Sequence, residues 1–193
     1  AIGLVGSEMC IRDSNSSTVV RARSFLDGWV KSNITTKTYL LGEDPPPGLP
    51  AIFISTDPNS FFDEDTGMYM MGPNADTWNF PYFGANFWED WERPIHFEIL
   101  EVDGTGYDAD AGVKIFGGWS RAFPQKSLSI FSRSHIGPSV FEYKLFPNSD
   151  INKYESFVLR NSGNDWESTM LRDGFTTSLT DCLLYTSPSP RDQ

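Results

Sequence analysis

Short apolar runs, separated by turn-forming residues, limit what most of this chain can fold into. The runs are rich in β-branched and aromatic side chains and are bounded by Gly, Pro, Asp or Asn, which is typical of β-strands. In the larger part of the chain the predicted strands are 51–55, 94–102, 112–116, 127–131, 141–145 and 156–159. We therefore expect this part to be built on a β-sheet.

One segment near the end of the chain has a helical pattern instead. Apolar residues recur at a loose helical spacing over residues 166–179. Asp165 is placed to cap the first turn, and Glu167 lies where a negative charge favours a helix start. Strands followed by a helix predict an α+β fold that is rich in sheet.

The first forty residues carry a separate strand pattern. Residues 18–25 and 36–41 alternate apolar and polar positions with a period of two, and turn signals lie between them. Four prolines follow in residues 42–50, where they fix φ and remove amide donors, so this stretch predicts a stiff linker. We therefore predict a domain boundary at 42–50, between a segment 15–41 and a region 51–180.

The two ends of the chain encode complementary DNA. Residues 182–192 back-translate to a strand whose reverse complement, read two bases in, encodes residues 4–13 letter for letter. This DNA resembles a transposon-type sequencing adapter. We therefore predict that residues 1–14 and 181–193 are adapter-derived artefacts, and that the native part between them is a fragment of a longer protein.

The composition excludes several classes of partner. The chain has 15 Lys and Arg against 26 Asp and Glu, a formal net charge of −11, which disfavours nucleic acid and anionic membrane surfaces. No apolar run approaches the roughly 18 residues that cross a bilayer, so no membrane span is predicted. Cys10 and Cys182 both lie in the predicted adapter segments, so they support no disulfide, metal or nucleophile argument.

Five motifs follow one another in a family-specific order. They are FWEDWERPIHFE from Phe87, AGVKIFGGWSRAFPQKSL from Ala111, FEYKLF from Phe141, FVLRNSGNDW from Phe157 and MLRD from Met170. Together they resemble the spore coat protein H (CotH) kinase-like family. The resemblance identifies residues 51–180 as similar to the N-terminal part of the CotH kinase-like domain, which is an atypical kinase fold.

A second, shorter resemblance covers the start of the chain. The sequence VRARSFLDG from Val20, with Ser32 and Asn33 after it, is similar to the end of the fibronectin-like β-sandwich found at the C-termini of chitobiases and hexosaminidases. Residues 15–41 would then be its last strands. Such modules commonly precede CotH-type domains in exported bacterial proteins, so the pairing implies an extracellular or cell-surface location.

The CotH resemblance implies an atypical protein kinase that transfers phosphate from ATP, with Mg²⁺, to serine-rich protein substrates. Such a reaction needs a cation on the nucleotide phosphates, ligands for Mg²⁺ and a carboxylate for the substrate hydroxyl proton. In kinase-like folds the metal-binding and catalytic acids lie in the C-terminal lobe. We therefore name no catalytic or metal-binding residue in this chain, and we expect the fragment to be inactive on its own.

The candidate nucleotide-binding residues cluster after the 112–116 strand. They are Lys126, Gly117, Gly118, Ser120, Arg121 and Arg160. Under the resemblance, Lys126 holds the place of a phosphate-binding lysine, with a solvated strand lysine as the alternative. The glycine pair lets backbone amides approach a phosphate, although such pairs are more often bulges or tight turns. The two arginines suit phosphate geometry but are also explained as structural ion pairs.

Other segments support competing hypotheses. Seven aromatic residues between 78 and 91 raise the alternative of a non-catalytic extracellular module that binds glycan or a protein scaffold, whereas core filling is the default role of such rings. Acidic loops at 63–65 and 103–112 have oxygen ligands suited to Ca²⁺, but hairpin turns explain them equally well. Asn164 and Asp165 could likewise reach a metal, although helix capping accounts for both.

Overall fold

The computed structural model describes residues 15–41, 48–146 and 149–184, with side chains as far as residue 179. The predicted adapter segment 1–14, residues 42–47 of the predicted linker, and residues 185–193 lie outside the described residues. Nine strands and two α-helices occur in the described part of the chain. The predicted α+β, sheet-rich fold is therefore confirmed.

The strands are short, as their spacing in the sequence predicted. They are β1 Thr18–Ala22, β2 Thr35–Tyr39, β3 Ala51–Ser55, β4 Arg93–Leu100, β5 Gly106–Phe116, β6 Ser127–Phe131, β7 Phe141–Glu142, β8 Lys153–Tyr154 and β9 Ser156–Leu159. The helices are α1 Pro58–Phe62 and α2 Arg172–Leu184, and 3₁₀ turns span Asn86–Trp88 and Trp119–Ala122.

These strands form three sheets. The largest has the order β3-β4-β5-β6-β9, so β3 and β9 are its edges, while β1-β2 and β7-β8 are two-stranded. Antiparallel pairing joins β3 to β4, β5 to β6 and β6 to β9. No helix among the described residues is both long and apolar enough to cross a bilayer.

Burial is greatest where β5 pairs with β6. Val113 lies opposite Ile130, and Ile115 lies opposite Leu128; all four side chains are buried. Apolar residues directly opposite each other in this way stabilise a sheet. The first four residues of β6 are buried on both faces. The loop that precedes β6 is therefore attached to a well-packed strand.

Contacts divide the chain into two compact units. Unit 1 comprises the described residues up to Ser55 together with His96–Ala109, and unit 2 comprises Thr56–Ile95 together with the described residues from Asp110 onward. In unit 1, Glu98 accepts hydrogen bonds from the amide and hydroxyl of Thr38. Residues on both sides of the predicted linker belong to unit 1, and the predicted domain boundaries stay a prediction.

The predicted helix 166–179 has the wrong start. Residues 164–170 form turns, and α2 begins only at Arg172. The short helix α1 falls in a stretch for which no helix was predicted. It begins at Pro58, and its N-cap Asp57 accepts the amide of Asn59, which is a common way for a helix to start.

Candidate functional site

A cleft of about 760 Å³ lies in unit 2, between the loop after β5 and the segment after β9. Five of the six predicted nucleotide-binding residues line this cleft, and these are Gly117, Gly118, Ser120, Arg121 and Arg160. The sixth, Lys126, is not among its lining residues. Two segments that are about forty residues apart in the sequence therefore contribute to one site.

The loop after β5 requires glycine at its first position. Gly117 has a φ of +117°, and a Cβ atom there would lie 2.6 Å from the Ser120 hydroxyl oxygen. A Cβ on Gly163 would lie 2.7 Å from the Cβ of Ser120, so Ser120 fits between two glycines. A Cβ on Gly118 would meet nothing within 4 Å. The Gly118 backbone therefore borders open space that a ligand can enter.

The Arg121 side chain holds this loop in place through hydrogen bonds to backbone carbonyls. Its Nε donates to the Gly117 carbonyl at 2.7 Å, and its Nη1 donates weakly to the carbonyls of Phe87 and Trp88 at 3.4 Å each. The guanidinium also lies 5.9 Å from the centroid of the Trp88 ring. Arg121 thus stabilises the loop by binding backbone carbonyls, and its charged guanidinium group still lies at the cleft.

Lys126 is buried against the same loop. Only 8% of it is exposed, and its Nζ donates to the carbonyls of Arg121 at 2.6 Å and Phe123 at 3.0 Å. The Phe87 ring centroid lies 4.1 Å from Nζ. Burial lowers the pKa of Lys126 to about 8, because a desolvated ammonium is disfavoured relative to the neutral amine. Its predicted contact with phosphate stays a prediction.

The opposite side of the cleft is held by a buried polar pair. Ser127 Oγ donates to Asn161 Oδ1 at 2.8 Å and accepts the Asn161 amide at 3.0 Å. Asn161 Nδ2 also donates to the carbonyl of Gln125. These bonds tie the start of β6 to the end of β9. Arg160, just before Asn161, is more exposed and donates through Nε to Asp173 Oδ2 at 2.8 Å.

Asp165 organises the turn that leads into α2. Its carboxylate accepts the Thr169 hydroxyl at 2.5 Å and the amides of Leu171 and Arg172 at 3.2 and 3.3 Å. The Thr169 hydrogen bond is the main cause that holds the pKa of Asp165 below its usual range. Asp165 therefore binds the amides where α2 begins, but it is not the N-cap that the sequence predicted, because α2 begins seven residues later.

Three aromatic side chains, Phe80, Trp119 and Phe123, line one part of the cleft, and we call them the aromatic wall. The Phe80 ring meets the Trp119 ring edge to face at 5.8 Å and stacks on the Phe123 ring at 6.0 Å. Trp119 is 63% exposed, so much of its indole surface is open to solvent. The wall offers apolar ring surface beside a charged loop.

The cleft is positively charged within an acidic chain. Among the described residues that line it are two arginines, Arg121 and Arg160, and no Asp or Glu. The whole chain has a net charge of −11. Asp173 pairs with Arg160 but is not a lining residue. The arrangement is therefore suited to an anion with an apolar or aromatic part.

The acidic loops are occupied by hydrogen bonds of their own turns. Asp63 Oδ1 accepts the amide and hydroxyl of Thr66, and Asp103 Oδ1 accepts those of Thr105. The turn interpretation therefore accounts for residues 63–66 and 103–105, whereas residues 106–112 of the predicted second loop belong to β5. Within residues 15–41, 48–146 and 149–184, no group of three or more His, Cys, Asp or Glu side chains is close enough together to hold a metal.

The aromatic residues between 78 and 91 have different environments. Phe87 is 3% exposed and belongs to the core, whereas Trp78 is 93% exposed and Phe83 is 57% exposed. Core filling therefore explains only part of this group. Glycan binding at the exposed rings stays a prediction.

Sequence reasoning missed several residues of the cleft. Phe80 lies almost forty residues before the loop, and the sequence singled it out only as one of the aromatic residues between 78 and 91. Asn161 and Gly163 lie in the same motif as Arg160, so that motif could have pointed to them. Phe123 and Ser127 lie close to Lys126 in the sequence, but only the lysine was predicted to bind nucleotide.

A comparison with protein families gives one match. Residues 113–191 match the family model described as CotH kinase protein, a range that begins within β5, extends into the predicted adapter segment 181–193, and includes every lining residue of the cleft except Phe80. No curated protein and no solved structure matches the chain.

The match bears on the family resemblance alone. The fibronectin-like segment 15–41, the extension of the domain back to residue 51 and the adapter origin of the ends stay predictions. The resemblance itself is confirmed, because residues 113–191 match the CotH kinase protein family.

Proposed function

We propose that the cleft binds the phosphates of ATP, and that this chain supplies a nucleotide-binding part of a kinase that phosphorylates serine-rich proteins. The observation that carries the proposal is the charge of the cleft, which has two lining guanidinium groups and no lining carboxylate among the described residues. Guanidinium groups bind phosphate oxygens strongly because both the charge and the donor geometry match. The CotH match over the same residues supports phosphoryl transfer as the reaction class.

The cleft can accommodate both parts of a nucleotide. Its volume of about 760 Å³ lies within the usual range of small-molecule sites. Arg160 has guanidinium nitrogens beyond the Nε atom that binds Asp173, and these donate to the phosphates beside the open backbone of Gly118. The base stacks on the aromatic wall, since planar rings bind favourably to exposed aromatic faces.

Among the described residues, no group of three or more His, Cys, Asp or Glu side chains is close enough together to hold a metal ion. Mg²⁺ in a kinase neutralises charge on the transferred phosphate. We assign no residue of this chain to that role and no step of the transfer itself. What these residues do is bind and orient the nucleotide. The CotH likeness also leads us to propose a cell-surface location for the protein.

A direct test is the binding of ATP to the full chain, measured by isothermal titration calorimetry with and without Mg²⁺. We expect Arg160→Met to weaken binding by about tenfold or more, since it removes a charged hydrogen bond to phosphate. Lys153→Met is the matched control, because it removes the same charge from an exposed ion pair with Glu142 on β7-β8. Absence of ATP binding in the wild type, or equal losses in both variants, would contradict the proposal.

A further inference from the structure

We propose that Lys126 is a positioning residue, which holds the loop 117–123 in its observed shape through two backbone carbonyls and does not itself contact phosphate. The loop's role as a phosphate-binding element rests on the proposed function. The dependence of its shape on Lys126 rests only on the contacts that follow.

The two carbonyls that Lys126 binds are both at the end of the Trp119–Ala122 turn. Arg121 lies within the turn, and Phe123 is its C-cap residue. The last carbonyls of a helical turn have no partner within the turn and must be satisfied from outside it. The Lys126 ammonium supplies both bonds, at 2.6 and 3.0 Å, so it is the group that completes this turn.

The remaining surroundings of the ammonium are aromatic. Nζ lies 4.1 Å from the centroid of the Phe87 ring and 5.6 Å from that of Tyr69, which are distances at which a cation is attracted to a ring face. An ammonium has three donors, two of which are bound to the loop carbonyls. With 8% of the residue exposed, Lys126 points toward the protein and not toward the cleft.

The contacts of Lys126 extend through Arg121 to the glycine loop. Lys126 immediately precedes β6, whose first four residues are buried, so its backbone is firmly held. It fixes the backbone of Arg121, and the Arg121 side chain in turn fixes the carbonyl of Gly117. A rigid strand is thus connected, by two basic side chains in series, to the residue that opens the loop.

Hydrogen exchange measured by mass spectrometry on the full chain, without nucleotide, tests this assignment. In Lys126→Met we expect the amides of residues 117–123 to exchange about tenfold faster or more, because loss of two hydrogen bonds lowers the cost of local opening. The amides of β6 should change by less than about twofold. Lys126→Arg keeps donors toward the carbonyls and should restore most of the protection.

Lys114→Met is the matched control. Lys114 is also a strand lysine near an aromatic ring, with Nζ 6.0 Å from the Phe131 centroid, but its ammonium pairs with Asp90 at 3.1 Å. It should leave exchange of the loop unchanged. Equal protection of the loop in wild type and Lys126→Met, combined with weaker ATP binding in the variant, would overturn the proposal in favour of direct phosphate contact.

A second measurement decides the matter if Lys126→Met does not fold. In the wild type, the ¹⁵Nζ resonance of Lys126 is followed by NMR during titration with ATP. A positioning role predicts a shift no larger than that of Lys114, whereas direct phosphate contact predicts a large, saturable shift that would overturn the proposal. If the wild type binds no ATP, the proposed function fails, while the exchange data still test whether Lys126 holds the loop.

Discussion

Two turns border the cleft, and each is held by a buried charge of opposite sign. After β5, the Lys126 ammonium binds the carbonyls that end a turn. After β9, the Asp165 carboxylate binds the amides that begin a helix, together with a threonine hydroxyl. Lys126 is 8% exposed and Asp165 is 4% exposed. In each turn, one buried charged side chain therefore binds several backbone groups. The charge is positive in the turn after β5 and negative in the turn after β9.

The two charges differ in how well the fold compensates them. The hydrogen bonds to Asp165 outweigh its burial, so its pKa lies below the usual range. For Lys126 burial dominates, and its pKa falls to about 8. A group whose charged form is favoured by the fold stabilises the protein, whereas a desolvated charge costs free energy even when it is bonded. We therefore expect the Asp165 turn to be the more stable and the Lys126 turn to be the one that responds to pH.

The largest effect is expected from Asp165→Ala. The change removes the charged acceptor of the Thr169 hydroxyl and of the amides of Leu171 and Arg172, and hydrogen bonds to a charged group contribute more than neutral ones. The urea midpoint of Asp165→Ala, measured by tryptophan fluorescence, should fall roughly twice as far as that of Gly117→Ala. Asn164→Ala, at the exposed neighbouring position, is the control and should have little effect. A smaller shift in Asp165→Ala than in Lys126→Met would reverse the comparison.

The pH dependence of Lys126 comes next. Its pKa is about 8 in the folded protein and 10.5 when unperturbed, so the unfolded chain binds more protons between these values. The free energy of unfolding should therefore rise with pH through this window, by about 2 kcal/mol from about pH 7.5 to 9.5. Below about pH 8 this contribution is absent, and above about 10.5 it is complete.

Lys126→Met isolates that contribution, because the variant lacks the titrating group. Urea melts of both proteins at the two pH values give the difference. Tyr69, which faces Lys126, has a pKa raised by burial, and it is present in both proteins, so its own titration cancels from the comparison. If the wild type and the variant respond equally to pH, the Lys126 ammonium is not desolvated as the structure describes.

Gly117→Ala should lower the free energy of unfolding by about 1.5 kcal/mol, which is somewhat less than the pH effect of Lys126. It combines a φ of +117° that L-residues rarely adopt with the close approach of Ser120 Oγ. In a Ser120→Gly background the steric part should disappear while the φ part remains. If the double variant recovers nothing, contact with Ser120 does not contribute to the cost, and the loop relaxes without it.

The smallest effect is expected from Ser127→Ala, which should lower the free energy of unfolding by about 1 kcal/mol. This change removes one neutral partner of Asn161 but leaves the bond from Asn161 to the Gln125 carbonyl intact. Ser156→Ala, at an exposed strand position, is the control for a serine lost from β9. A loss as large as that in Asp165→Ala would show that an uncharged pair holds the cleft as firmly as a charge does.

The strands were predicted well wherever residue type and burial agree. β3, β6 and β9 have the predicted bounds because each is a compact run of β-branched or aromatic residues between turn signals. β5 begins six residues earlier than predicted, since its first half contains Asp108 and Asp110 alternating with small alanines, a pattern that resembles a loop. Ala109 and Ala111 are buried there, so packing in the sheet decides the structure and local propensity does not.

The site was predicted in part for a similar reason. Two glycines, a serine and two arginines are visible in the motifs, and all five line one cleft. The direction of the Lys126 side chain depends on Phe87, nearly forty residues earlier, and no local pattern encodes that contact. The start of α2 was missed because Asp165 binds amides six and seven residues ahead, which is a tertiary arrangement of a turn and differs from the local geometry of an N-cap.

Ser120 lies in a space that two glycines leave for it, one from each side of the cleft. Positions 117, 120 and 163 are therefore not independent of one another in the substitutions they tolerate. A saturation library of this chain should accept few residues larger than serine at position 120 while both glycines are present. Conversely, alanine at 163 should become acceptable only when position 120 has lost its side chain, so these two positions would change together, whereas the φ of Gly117 disfavours other residues in either case.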